Sequence, residues 1–294
     1  MITEYREINN LTENNNLDCI FKNSFFIDIE TTGLSRRYSD IISITVLLYE
    51  NDSYKIHQIF CQYKIDEPEA MKYLRNLIHK KKYVITYNGS SFDVPFLISK
   101  SQKHNIKIDF NSYIKIDLYS RLRQMKNKID IDSLKLKSVE KYFGINRNDV
   151  ICGEDVITLY KAYQIEPRNE FSRLIMEHNY EDVFNLPILF NCIINLYDTV
   201  LYYDNLIVKI NNEDFKFKKN NFYCNIPLNF FCDEKIDDFY YVDNNDFNVI
   251  TYTAIQGIKQ RLIPVKFNGK MFYDNITNII ESILTSVFKG EEVF

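Results

Sequence analysis

The stretch Ser24-Phe-Phe-Ile-Asp-Ile-Glu-Thr-Thr-Gly-Leu34 decides how this chain is read. Phe25, Phe26, Ile27 and Ile29 are aromatic or β-branched and a Thr-Thr-Gly turn signal follows, so Ser24–Glu30 is predicted to be a strand. A strand alternates its side chains between two faces, which puts Asp28 and Glu30 on the same face of a sheet. Two neighbouring carboxylates on a strand otherwise suited to burial repel each other and are costly to desolvate. A divalent cation relieves both penalties, so this pair is a candidate metal site. The competing reading is a pair of structural ion pairs with Lys or Arg.

Working outward, Ile41–Tyr49 and Lys55–Gln62 are strand-like and follow the first strand in an antiparallel meander. Glu67–Lys80 has helical spacing with Pro68 in its first turn. Tyr83–Tyr87 is a fourth strand ended by Asn88-Gly89, Ser91–Lys103 a helix, and Tyr113–Asp117 a short fifth strand. Helical segments then run to about Tyr197: LKLKSVEKYFGI closed by Gly144, GEDVITLYKAYQ, and a long helix over Glu170–Tyr197 kinked at Pro187. Residues 1–23 read as a polar lead-in. Beyond residue 200 the runs Leu206–Ile210, Phe215–Phe217, Phe222–Ile226, Phe239–Val242 and Ile263–Tyr273 are β-like, and Ile276–Phe288 is predicted to be a closing helix. The expected organisation is an α/β domain over residues 1–200, with a five-stranded mixed sheet flanked by helices, and a small β-rich module over 201–294.

The 294 residues, 46% hydrophobic and 26% charged, are ordinary for a globular protein. The net charge of −4 does not announce a nucleic-acid binder, although a local basic groove is compatible with an acidic total. The six cysteines show no CxxC or Cys/His metal spacing and read as buried free thiols. The absence of an apolar signal region or of a long apolar run argues for a cytoplasmic protein with no membrane partner.

Two further segments complete a constellation. YNGSSFDVPFL sets Asp93 just after a strand-ending turn, at the start of a helix, where capping that helix is the alternative role. HNYEDVFNL sets His178 and Asp182 four residues apart, on one helical face. A solvated Asp182 and a His178 that merely packs in the helical layer are the plain alternatives. Asp117, Asp155 and Glu181 read as helix-surface or capping acids.

Together these motifs resemble the DEDD superfamily of RNase H-like 3′–5′ exonucleases, which includes proofreading domains and RNase-D- or RNase-T-like enzymes. Their wording is most similar to the predicted YprB-type exonucleases, over residues 20–197. The resemblance implies two Mg²⁺ or Mn²⁺ ions held by Asp28, Glu30, Asp93 and Asp182, with Asp28 bridging both. It implies His178 as general base, with Thr31, Thr32, Leu34, Asn88 and Phe92 along the nucleotide-binding groove. One departure stands out. One branch of the family places a His five residues before the last Asp and the other places a Tyr four before it, whereas His178 occupies the four-residue position. The implied substrate is a DNA or RNA 3′ end, single-stranded DNA favoured. Ribonuclease or endonuclease action at the same site, or a nucleic-acid-binding module whose catalysis has lapsed, are the rival functions.

Overall fold

A computed structural model describes residues 1–8, 11, 17–197, the strands from Thr199–Tyr203 to Lys270–Met271, and residues 272–275, 277 and 278. In chain order the first compact unit, Met1–Leu196, contains β1 (Ile2–Ile8), α1 (Asp18–Lys22), β2 (Ser24–Thr31), β3 (Ile41–Glu50), β4 (Ser53–Phe60), α2 (Glu67–Ile78), β5 (Tyr83–Thr86), α3 (Asp93–Lys103) and β6 (Ile114–Asp117). It continues with α4 (Leu118–Gln124), α5 (Leu136–Tyr142), α6 (Gly153–Ile165), α7 (Asn169–Phe184) and α8 (Leu186–Ile194).

One mixed sheet organises this unit, in the order β1-β4-β3-β2-β5-β6. Strand β2 is antiparallel to β3 and parallel to β5, so the site-bearing strand lies where the meander meets the parallel half. The sheet has six strands where five were expected. The extra one, β1, belongs to the segment read as a polar lead-in, and it pairs antiparallel with β4 from Ile2↔Phe60 to Ile8↔Tyr54. Thr3 to Glu7 are exposed, so β1 has no buried face and lacks the apolar alternation that marks a half-buried strand.

Both faces of the sheet are covered. Phe25, Ile27 and Ile29 point into an apolar cluster with Ile44, Val46, Met71, Leu74, Phe96 and Leu97, the layer formed by α2 and α3. On the other face Ile42 and Phe60 pack with Val156, Tyr160 and Tyr163 of α6 and with Ile175 and Met176 of α7. Phe21 of α1 also makes edge-on ring contacts with Phe26 and Phe190. Burial on both faces explains why β3 reads as an almost unbroken apolar run.

The long helix expected over Glu170–Tyr197 is two helices, α7 and α8, meeting at Asn185. Pro187 sits in the first turn of α8, where a residue without an N–H is tolerated; inside a continuous helix it would break the ladder. Gly144, φ +72°, follows α5 in the left-handed conformation expected of a residue closing a helix.

A buried ionic cluster fixes the loop that follows β2. Thr32 N–H donates to Asp40 O, and Asp40 N–H donates to Thr32 Oγ1, each at 2.9 Å, closing the loop at its base. Glu67 is fully buried; its Oε2 accepts from Ile41 N–H at 2.9 Å and lies 3.1 Å from Lys100 Nζ. Its Oε1 meets Lys103 Nζ at 2.9 Å and His104 Nε2 at 2.5 Å. Lys100, also fully buried, donates to Ser39 O. Burial pushes the Glu67 carboxyl up, but the hydrogen bonds from His104, Lys103, Ile41 and Lys100 outweigh it and bring the pKa down to about 2.

The second unit, Tyr197–Phe294, contains β7 (Thr199–Tyr203) paired with β8 (Leu206–Ile210), β9 (Phe215–Lys218) with β10 (Asn221–Cys224), and a sheet of β11 (Tyr240–Asn244), β12 (Phe247–Ala254), β13 (Gly257–Phe267) and β14 (Lys270–Met271). The closing helix expected over Ile276–Phe288 lies almost entirely outside the described residues. Of Cys61, Cys152 and Cys192, all free thiols, only Cys61 is buried, and Cys152 is exposed, contrary to the expectation of buried cysteines. No helix among the described residues is long and apolar enough to cross a membrane.

Candidate active site

Strand β2 carries the first two acids. Its last pair with β5 is Phe26↔Ile85, and beyond it the Ile29 N–H is taken by Asp93 Oδ1 at 3.0 Å. That bond ties the start of α3 to the strand bearing Asp28 and Glu30. The preceding turn is shaped by Asn88, φ +61°, and by Gly89, where an added Cβ would lie 2.5 Å from Thr86 Cβ. Asp117 holds this turn, accepting from Asn88 N–H at 2.9 Å and Ser90 N–H at 3.0 Å, and it also caps α4 through Ser120 N–H. Asp117, expected only to cap or face solvent, is therefore part of the scaffold that sets Asp93.

Helix α7 supplies the remaining groups. His178 is buried, and its Nε2 lies 3.5 Å from Glu30 Oε1 and 3.6 Å from Asp182 Oδ2. The three side chains bring their ligand atoms within 4.8 Å of one another, a geometry open to a metal ion. Asn179, fully buried, donates to Asp28 Oδ2 at 2.7 Å, while its Oδ1 accepts from Ser43 and Thr45 hydroxyls, each at 2.7 Å. It thereby sets the orientation of Asp28 from the neighbouring strand. Tyr180 points elsewhere, under the Arg6 guanidinium at 4.7 Å. Glu181 is buried and bonded to Asn148 and Asn185, not on the helix surface as expected.

The electrostatics are those of crowded carboxylates. Burial, followed by repulsion from Asp93, Asp182 and Glu30, holds Asp28 well above the usual carboxylate range, against the hydrogen bond from Asn179. Glu30 is raised by burial, Asp182 and Asp93. Burial pushes Asp93 up to about 7, although the N–H groups of Ile29 and of Asp93 itself pull the other way. These repulsions place Asp28, Glu30, Asp93 and Asp182 in one electrostatic neighbourhood, despite the spread of these residues along the chain.

Two residues without a sequence signal complete the surroundings. Arg147 Nη2 lies 2.6 Å from Asp182 Oδ1, and the same guanidinium meets Asp149 at 2.7 Å and Glu140 at 2.8 Å. Asp149 Oδ2 is 2.6 Å from His178 Nδ1. Both come from the irregular segment between α5 and α6, where no periodicity singles out a residue. Asn179 did leave a trace: with Ile175 and Val183 it forms an i, i+4, i+8 row, all buried, and a polar residue in such a row calls for partners.

The residues expected to line a nucleotide groove behave unequally. Leu34 is 84% exposed. Thr31 is buried and donates to Gly33 O, and Thr32 is used in closing the loop to Asp40. Asn88 is exposed, and Phe92 is half-buried against Phe96. Arg36 of the same loop donates to Ser91 O at 2.9 Å, linking it to the turn before Asp93.

Among curated relatives, the PolC-type DNA polymerase III of Mycoplasma genitalium is 32% identical over 103 residues, covering 27% of this chain and 7% of that protein. The DNA polymerase of Autographa californica nuclear polyhedrosis virus is 21% identical over 279 residues, covering 80% of this chain and 26% of that one. The chain thus spans only a small part of the curated relatives it matches. The family B DNA polymerase structure from Pyrobaculum calidifontis aligns at a TM-score of 0.46 and 13% identity, over 57% of this chain and 24% of that one. E. coli Exonuclease I in complex with an oligonucleotide aligns at 0.35 and 14%, over 52% and 41%. Likenesses below a TM-score of 0.5 carry no weight for function. A family model described as the RNase_H superfamily matches residues 25–194, more than half of the chain and the span that holds every acid described above, and the chain belongs to that superfamily.

Proposed function

We propose that this chain is a metal-dependent nuclease that removes nucleotides from the 3′ end of nucleic acid, single-stranded DNA favoured. The observation that carries the proposal is the convergence of Glu30, His178 and Asp182, with Asp28 and Asp93 in the same electrostatic neighbourhood. The donor set fits hard divalent cations because it is made of carboxylate oxygens, and a cation would relieve the burial and the repulsion from neighbouring acids that raise Asp28, Glu30 and Asp93. Asp28, Glu30, Asp93 and Asp182 would hold two Mg²⁺ or Mn²⁺ ions. When bound, such ions neutralise the phosphate, activate water and stabilise the leaving oxygen.

The chain's own groups have separable tasks in this reading. Asn179 holds Asp28 in one rotamer, and the Ile29 N–H fixes Asp93, so the carboxylates stand in place before substrate arrives. His178, with Nε2 turned toward Glu30 and Asp182, takes the proton from the attacking water. The exposed Leu34 is the apolar contact for the terminal base, with Thr31, Thr32, Asn88 and Phe92 along its path. Both curated relatives are named as DNA polymerases, which supports DNA as the substrate class. A cytoplasmic location goes with this reading.

The test is a set of end-labelled single-stranded DNA, duplex DNA and RNA substrates with Mg²⁺ or Mn²⁺, products being resolved to single nucleotides. A ladder shortening from the 3′ end, abolished by excess EDTA, is expected. Undiminished hydrolysis in EDTA refutes the metal mechanism, internal cuts indicate an endonuclease, and degradation of RNA alone indicates a ribonuclease.

A further inference from the structure

We propose that Asp149 is a positioning residue for this reaction, locking the His178 ring in one orientation and one tautomer. The proposal rests on the reading of His178 as the base. His178 is 4% exposed, and its two nitrogens face different partners: Nδ1 meets Asp149 Oδ2 at 2.6 Å, and Nε2 faces Glu30 and Asp182 at 3.5 and 3.6 Å.

The charge state of Asp149 fixes the direction of the first bond. Arg147 Nε lies 2.7 Å from Oδ1 and Lys137 Nζ lies 2.7 Å from Oδ2, so two cations hold the carboxylate ionised. An ionised carboxylate only accepts, and the proton of a neutral ring therefore resides on Nδ1. The lone pair is left on Nε2, on the side of the clustered acids, where a water proton has to be received. A carboxylate on the far nitrogen also prevents the ring from rotating.

The same contacts allow a plainer role. Arg147 spans Glu140, Asp149 and Asp182, so Asp149 would also serve simply as a counter-ion that keeps Arg147 in place. A double-mutant cycle separates the two. Asp149→Asn, His178→Ala and the double variant are compared with wild type for kcat, KM and thermal midpoint, using single-stranded oligonucleotide and Mn²⁺.

The expected result is a fall in kcat of roughly 10²-fold or more for Asp149→Asn, in the range of a lost acid–base group, with KM changed only a few-fold. In the His178→Ala background the same substitution should then change kcat by less than about threefold, because the group it positions is gone. An undiminished effect in that background overturns the role of Asp149 and leaves the base reading intact. A His178→Ala rate near wild type removes the base, and the positioning role falls with it. A measurement needing no variant to be active is the ¹⁵N spectrum of the histidines, with His178 assigned by its loss in His178→Ala. At a pH where the ring is neutral, the proton is expected on Nδ1, and finding it on Nε2 overturns the proposal.

Discussion

Replacing Glu67 by Gln tests how the loop after β2 is held. The carboxyl has an ordinary value of 4.5 and lies at about 2 in the fold, a difference of about 2.5 units. At 1.36 kcal/mol per unit this linkage is worth roughly 3 kcal/mol of stability at neutral pH. A second route gives a similar size. Glu67 and Lys100 are both fully buried, and removing one partner of a buried pair costs about 3–5 kcal/mol, an upper figure here because Asp40 Oδ1 stays 3.6 Å from Lys100 Nζ. The sign follows from the depressed pKa. The contribution is present above about 4.5 and is lost as pH falls toward about 2, where the carboxylate of the folded protein also takes up a proton. Urea unfolding of wild type and Glu67→Gln, followed by circular dichroism at pH 7, 5, 4 and 3, isolates the effect, since the other carboxylates titrate in both proteins. The gap between them should be roughly 3 kcal/mol at pH 7 and shrink steadily below pH 4.5. A gap under about 1 kcal/mol at pH 7, or one that does not change between pH 5 and 3, would refute the assignment of this cluster as the clamp.

Two further outcomes follow from the site itself. Asp28→Asn should abolish turnover in the nuclease assay, yet leave the metal-free protein at least as stable as wild type at neutral pH: it removes a repelled carboxylate and keeps an acceptor for Asn179. A thermal melt in EDTA checks the second half, and a clear drop in midpoint would count against the crowding argument. Gly89→Ala should lower the thermal midpoint and turnover together, because its Cβ would fall 2.5 Å from Thr86 Cβ and displace the turn that sets Asp93. A variant with wild-type rate and midpoint would show that the turn yields freely.

The residues legible in the sequence share a property: each lies on a regular element whose period fixes its direction. Asp28 and Glu30 are two residues apart on β2, and His178 and Asp182 are one turn apart on α7, so local spacing alone predicts which of them share a face. Asp93 stands beside a turn marked by Asn88 and Gly89, which is nearly as informative. Arg147 and Asp149 escape such reasoning because irregular backbone has no period, and their contacts span as many as 35 residues. The break between α7 and α8 was signalled by Pro187, but whether a proline kinks a helix or begins a new one depends also on distant partners, such as Glu140 Oε1, which accepts from Asn185 Nδ2 across 45 residues of sequence. Strand β1 was missed for a different reason: its side chains avoid burial, so the hydrophobic pattern had nothing to report.

That same exposure gives β1 a protective office. An open sheet ends in a strand with one unpaired row of backbone N–H and C=O groups, to which a stranger's strand can add. Here the border carries Glu4, Arg6 and Glu7 among seven residues, while the strand it shields, β4, is buried along Ile56–Phe60. Lys55 approaches Glu7 at 3.7 Å, and Arg6 lies over the Tyr180 ring of α7, so the charged border is also moored to the body of the domain. Within this six-stranded sheet, the strand that contributes least to the core thus closes the β4 edge to strands of neighbouring molecules, a division of labour in which solubility is guarded at that rim and chemistry is confined to the centre.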